Sequence, residues 1–183
     1  RGIYTTGDCQ MVFIDTPGIH KPKTKLGNFM TDSALNTFKE VDLVLFLVDD
    51  SLSQGPGDKY IVEMLKNINT PKFLVINKMD KINPEDYEKI YNEYEQTGIF
   101  DEIFPVSALE QKNIDILLES IEKFMPEGPQ YFPSDMITDH PERFIVSEIL
   151  REKVLMFLED EVPHGVAIEI ESFQEENQCS CLL

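Results

Sequence analysis

Cysteine is scarce in this chain. Only Cys9, Cys179 and Cys181 occur among 183 residues, and their spacing matches neither a zinc knuckle nor a redox pair. An odd count without a disulfide framework reads as a reduced, cytoplasmic chain. Ser180 stands at the fourth position from the end, where a prenylation box needs cysteine. No apolar run approaches the roughly 18 residues of a membrane helix, and no signal peptide is visible. Peripheral membrane association has no support in these residues either. Basic residues are few: 16 Lys and Arg stand against 34 Asp and Glu, for a net charge of -18. Such acidity repels phosphate backbones and argues against broad nucleic-acid binding, with most of the acidic groups read as solvated surface. What remains is 42% hydrophobic and 27% charged, enough for one full core and part of another. No internal repeat is evident.

The apolar pattern alternates between strand and helix. Gly2 to Thr6 and Cys9 to Asp15 predict a hairpin about Gly7-Asp8. Leu26, Phe29, Met30, Ala34, Phe38 and Val41 recur at helical intervals. Leu43 to Val48 is an unbroken apolar run closed by Asp49 and Asp50, the pattern of a central parallel strand buried on both faces. Tyr60, Met64 and Leu65 mark a covering helix. Phe73 to Ile76, a helix from about Pro84 to Gln96, Ile103 to Val106 and a helix from Ile114 to Phe124 complete the series. The expected fold over residues 1–126 is α/β, a mostly parallel sheet with flanking helices.

Pro126, Gly128, Pro129 and Pro133 then punctuate a linker over residues 127–141. Asp139 with Glu142 three residues later predicts a capping box, and Pro141 suits a first helical turn. Val146, Leu150, Val154, Phe157 and Leu158 fall on one face of the helix that follows, with Pro163 as its stop. Val166, Ile168 and Ile170 alternate with Ala167, Glu169 and Glu171, as in a strand with one buried face. One helix and one strand cannot cover each other's apolar faces, since independent stability needs about three strands. The second domain, residues 142–177, is therefore expected to be incomplete, with an atypical tail at 178–183.

Three motifs end buried strands, where an open α/β sheet binds ligands. Asn77-Lys78-Met79-Asp80 follows Phe73 to Ile76. One ionised Asp there can accept both adjacent donors of guanine, a pair that adenine does not offer. The bland alternative is an Asn-Lys turn capping the next helix. Asp15-Thr16-Pro17-Gly18 follows Met11 to Ile14, so that Asp15 can face magnesium through water and Gly18 can bring its backbone N–H to a terminal phosphate. An ordinary Pro-Gly turn is the alternative. Ser107-Ala108-Leu109 follows Ile103 to Val106, where a small residue lets a backbone N–H reach the guanine carbonyl. The weight of the third motif is positional.

With these residues the chain resembles the translation-factor-type GTPases, and more specifically the Era family of ribosome-associated GTPases. The closer likeness rests on Arg1-Gly2-Ile3-Tyr4-Thr5, on the extension of the second motif through Ile19-His20-Lys21-Pro22, and on Tyr131-Phe132-Pro133 with Thr138-Asp139 before Pro141 to Phe144. It continues through Glu148 to Lys153 and Glu161-Val162-Pro163-His164. The resemblance implies a P-loop GTPase-type sheet followed by the start of a C-terminal KH-type α+β domain that binds RNA. It implies GTP and GDP with Mg2+ as ligands, GTP hydrolysis, and small-subunit ribosomal RNA and the pre-ribosomal small subunit as partners. By the same resemblance Asp80 pairs with guanine, Asn77 bonds the base edge and ties the loops together, and the Lys78 stem covers the ring. Ala108 meets the guanine carbonyl with Ser107 steadying its loop, Asp15 holds magnesium, and Gly18 senses the terminal phosphate.

Against the family pattern, no Gly-x-x-x-x-Gly-Lys-Ser/Thr occurs among the 183 residues. The chain opens at Arg1 in what reads as the second strand. The first strand, the phosphate loop and the magnesium-binding Thr are therefore expected to lie ahead of it, and the chain alone is expected to be inactive. Ile19 occupies the position where many GTPases carry a water-orienting Gln. An aliphatic side chain cannot orient water, so backbone, a monovalent cation or a partner is expected to do so, and no residue here is assigned as catalytic. His20, His140 and His164 are read as structural or solvated. Two other readings stand beside this one: another GTPase of the same hydrophobic-substituted class, and a nucleotide-independent protein-interaction fragment.

Overall fold

The computed structural model describes residues 1–16, 37–157 and 167–172. The chain begins with β1 (Gly2–Thr5) and β2 (Gln10–Phe13), paired antiparallel from Gly2 opposite Phe13 to Thr5 opposite Gln10. Thr6 closes the connecting turn, its N–H donating to the Cys9 carbonyl at 2.8 Å while its hydroxyl accepts from the Cys9 N–H at 3.1 Å. This is the hairpin that the Gly7-Asp8 pair predicts.

The remaining strands alternate with helices: β3 (Val44–Val48), α1 (Pro56–Leu65), β4 (Lys72–Ile76), α2 (Pro84–Glu95), β5 (Glu102–Pro105) and α3 (Ile114–Phe124). They form a parallel sheet in the order β3-β4-β5, with Val44 opposite Lys72 and Phe73 opposite Glu102. All five residues of β4 are buried. Its alternation divides the core. Leu74 and Ile76 join Phe46, Val62, Leu65, Ile90 and Tyr94 under α1 and α2. Phe73 and Val75 point the other way, to Phe104, Leu117 and Ile121 of the α3 side and to Met11 of β2. Met11 thus anchors the hairpin to the layer beneath the parallel sheet. Each fully buried side chain of this kind contributes about 1.5–3 kcal/mol relative to exposure.

Among the described residues β4 has a ladder partner on each side. Among the described residues β3 has a ladder partner on one side only, and Leu47 is 59% exposed. An unbroken apolar run cannot by itself distinguish a strand enclosed on both sides from one at a sheet edge.

After Pro126 the chain crosses the hairpin. Gly2 forms a bridge with Thr138, and the Ile3 N–H donates to the Ile137 carbonyl at 2.8 Å. α4 (Glu142–Phe157) follows, and none of its residues is buried. The expected Asp139–Glu142 capping box does not form. The Asp139 carboxylate lies 3.2 Å from the amino group of Arg1, and the first helical turn is closed by the Phe144 N–H donating to the Pro141 carbonyl at 2.9 Å. Residues 167–172 do not form the expected strand, since no ladder partner stands beside them among the described residues. The Ile170 carbonyl accepts from the Arg143 guanidinium at 2.6 Å instead. Pro17 to Asn36, including most of the expected first helix, lie outside the described residues, as do Leu158, Pro163, Val166 and the tail.

Candidate guanine-reading site

Parallel pairing brings the ends of β3, β4 and β5 to one edge of the sheet. The Asn77 N–H donates to the Val48 carbonyl at 2.8 Å, and the Val106 N–H donates to the Ile76 carbonyl at 2.8 Å, so both loops leave the sheet in register. Lys78 then adopts a left-handed conformation, with φ 62° and ψ 34°. Such a turn costs a non-glycine residue roughly 1–2 kcal/mol. It reverses the chain into a short 3-10 turn, Met79–Lys81, which presents Asp80 beside the β5 loop.

Asn77 ties the two loops together. Its Oδ1 accepts from the Lys78 N–H at 2.7 Å and from the Ala108 N–H at 3.0 Å. Ser107 is fully buried, and its hydroxyl donates to Asp80 Oδ1 at 2.6 Å while accepting from the Glu110 N–H at 3.2 Å. Reciprocal backbone bonds between Ser107 and Lys112, at 3.2 and 3.0 Å, close the loop behind it. Asn113, in the left-handed region with φ 59°, donates from Nδ2 to the Pro105 carbonyl at 2.8 Å and starts α3. The Ser107 hydrogen bond is the main cause holding the Asp80 carboxyl below the usual range, with the charges of Lys81 and Lys112 acting in the same direction. An ionised, exposed carboxylate is therefore held at the strand ends with lone pairs directed outward.

The Lys78 ammonium reaches back to β3, 3.1 Å from Asp49 Oδ2 and 3.5 Å from Asp50 Oδ1. Hydrogen bonds from Ser51 and then from Lys78 hold the Asp49 carboxyl low, and Asp49 in turn raises the Lys78 ammonium. The sequence reading used Asp49 and Asp50 only to end a strand. Two adjacent carboxylates at the same sheet edge as an Asn-Lys turn were the signal for this pairing. Asp49, Asn77, Lys78 and Tyr94 line an open cleft of about 400 Å³ along this edge.

The other candidates are more dispersed. Ala108 is exposed, and its N–H, expected at the base carbonyl, donates to Asn77 Oδ1. Leu109 is 83% exposed and contributes only backbone to the loop. Asp15 and Thr16 follow β2 in the other sheet, and among the described residues no hydrogen bond or ion pair joins them to Asn77, Asp80, Ser107 or Ala108. Pro17, Gly18 and Ile19 lie outside the described residues. Among the described residues no group of three or more His, Cys, Asp or Glu could hold a metal ion, and no helix is long and apolar enough to cross a membrane.

Residues 3–127 match the family of the elongation factor Tu GTP binding domain. The chain is 57% identical over 169 residues to GTPase Era of Alkaliphilus metalliredigens, a match covering 92% of this chain. The chain belongs to the translation-factor GTPases, and within them to the Era family. GTPase Era of Alkaliphilus oremlandii is 55% identical over 167 residues. The chain spans 57% of the length of either relative. Among solved structures it is similar to Era in complex with MgGDPNP and a segment of 16S ribosomal RNA, with TM-score 0.74, 39% identity, and coverage of 88% of this chain and 56% of that one. A variant of Aquifex aeolicus Era bound to GDP and AlF4- aligns with TM-score 0.73 and 39% identity over the same shares. The Era-family fold is thus the P-loop GTPase architecture, with the parallel sheet described above.

Proposed function

We propose that this chain carries the guanine-reading portion of an Era GTPase, which binds and hydrolyses GTP and couples nucleotide state to binding of small-subunit ribosomal RNA during ribosome assembly in the cytoplasm. The observation that carries the reading is the Asn77, Asp80, Ser107 and Ala108 constellation. Asp80 keeps Oδ2 and a lone pair of Oδ1 for the two adjacent donors of guanine, while Ser107 fixes its orientation. The Ala108 N–H, already aimed into the corner, meets the guanine carbonyl by sharing or exchanging its bond to Asn77. The Lys78 stem, held across the edge by Asp49 and Asp50, forms a wall for the ring. The bases and cofactors of the Era structures, MgGDPNP and GDP, support the same ligand class.

Asp15 offers one exposed carboxylate after β2. One carboxylate suits Mg2+, which keeps several waters and takes its remaining oxygens from nucleotide phosphates. When bound, the ion would neutralise phosphate charge. The residues of this chain select the base, hold it by Asp80 and Ala108, and present Asp15 to the ion. They include no glycine loop to cradle the phosphates, so what these residues supply is base selection and one ligand for the ion.

The reading is tested by following the Asp80 and Ala108 amide resonances while the chain is titrated with GDP, ADP and xanthosine diphosphate. GDP should shift both, and ADP neither. Asp80→Asn should weaken GDP and favour the xanthosine nucleotide, because leaving a buried donor unpaired costs about 1–3 kcal/mol, roughly 5- to 150-fold in affinity. Equal responses to GDP and ADP would overturn the assignment.

A further inference from the structure

The linker lies against the hairpin at two points, and one side chain makes most of the first. Gln10, at the start of β2, donates from Nε2 to the Phe132 carbonyl at 2.9 Å and to Thr5 Oγ1 at 3.0 Å. Its Oε1 accepts from the Tyr131 N–H at 3.0 Å and from the Phe132 N–H at 2.9 Å. Two donors and two acceptor positions are all that a glutamine amide has. Three of the four bonds go to a segment more than 120 residues away in sequence. The second point is the Gly2–Thr138 bridge at the opposite end of the hairpin, since Gly2 pairs with Phe13.

Alternation along β2 gives its two faces different tasks. Met11 and Phe13 face the apolar layer under β4 and β5, with Met11 only 3% exposed, while Gln10 takes the linker. Asp15 stands two residues beyond Phe13, and α4 begins four residues beyond Thr138. A shift of β2 that follows the chain at Asp15 must therefore move the linker or break the Gln10 bonds.

We propose that Gln10 is a positioning residue that couples the Asp15 end of β2 to the linker, so that nucleotide state at Asp15 sets the placement of the residues beyond 141. This rests on the GTPase reading for what moves Asp15, but the latch itself does not. Glutamine is required because it both donates and accepts. Glutamate at this position keeps the two acceptor contacts and loses the donation to the Phe132 carbonyl, whereas methionine, of similar shape, loses all of them.

Amide exchange and amide resonances of this chain test the coupling. Gln10→Met should speed exchange at Tyr131 and Phe132 tenfold or more and also move the Phe13 and Asp15 resonances, with the Val75 amide unchanged. Gln10→Glu should give an intermediate effect. From the other side, Tyr131→Pro removes one linker N–H without touching β2, and it too should move Asp15; this variant decides the matter if Gln10→Met does not fold. Unchanged exchange at Tyr131 and Phe132 overturns the latch. Freed linker amides with Phe13 and Asp15 unmoved overturn the coupling and leave a passive tether. A failed GDP titration would instead remove the nucleotide reading while these exchange results stand.

Discussion

Helices α2 and α4 have the same kind of sequence and different fates. In α2, Ile90 and Tyr94 are one turn apart, and both are buried against the sheet, with Tyr94 edge-on to Phe46 at a centroid distance of 6.1 Å. In α4, Val146, Leu150 and Val154 recur at the same four-residue interval, yet Leu150 is 47% exposed and no residue of the helix is buried. Periodicity states which side chains share a face. Whether that face is covered depends on what stands opposite, and α2 has β3 and β4 where α4 has no sheet beneath it among the described residues.

The sharpest way to break this contrast is to remove a leucine from each region. Leu74→Ala, at a position with no exposed surface, should lower the stability of the chain by about 2–5 kcal/mol in urea denaturation, the transfer loss of the side chain plus the cavity left in a filled core. Leu150→Ala should change it by no more than about 0.5 kcal/mol. Comparable losses would mean that the α4 face is packed in solution, and the contrast would fail.

A smaller effect separates the two helices at their first turns. Asn83 caps α2, its Oδ1 accepting from the Asp86 N–H at 2.9 Å, with Pro84 fixing the first helical φ. Asn83→Ala should therefore cost about 1 kcal/mol. Asp139→Ala should leave the helical signal of α4 unchanged, because that carboxylate faces the Arg1 amino group and not the helix. Loss of α4 helicity in the Asp139 variant would show that the sequence reading of a capping box was the better one.

These cases mark how far the residues alone could be read. The alternating β and α units and the hairpin were legible, and the three motifs could be placed at strand ends, because each is written in neighbouring residues: apolar period, Gly-Asp turn, fixed spacing after a strand. The Gln10 latch joins segments far apart in the chain with no signal in the sequence that these groups will meet, whereas the Asp49–Lys78 pair was signalled only by two carboxylates ending one strand and a lysine following the next. Among the described residues 167–172 have no ladder, since alternation predicts a face but a strand also needs a neighbour.

The smallest predicted effect concerns the base-reading corner, where one hydroxyl sets the state of one carboxylate. Asp80 has its pKa lowered chiefly by the Ser107 hydroxyl at 2.6 Å. A carboxyl whose folded value lies below its unfolded value, about 3.9 for Asp, contributes stability that is present above that value and lost as pH falls through the folded one. Ser107→Ala removes the first cause and leaves only the more distant charges of Lys81 and Lys112. The Asp80 carboxyl, followed by its carbon resonance, should then titrate at higher pH, closer to the ordinary Asp value. Asp49, lowered by Ser51 and Lys78 on the other side of the cleft, should titrate as before and serves as the internal reference. Above pH 6 Asp80 is ionised in both proteins, so the substitution should alter guanine binding there through orientation alone. If Asp80 and Asp49 move together, the loops are coupled through the backbone and the Ser107 hydroxyl is not what sets the charge. If neither moves, the 2.6 Å bond does not persist in solution, and the pre-oriented carboxylate on which the guanine reading depends is lost.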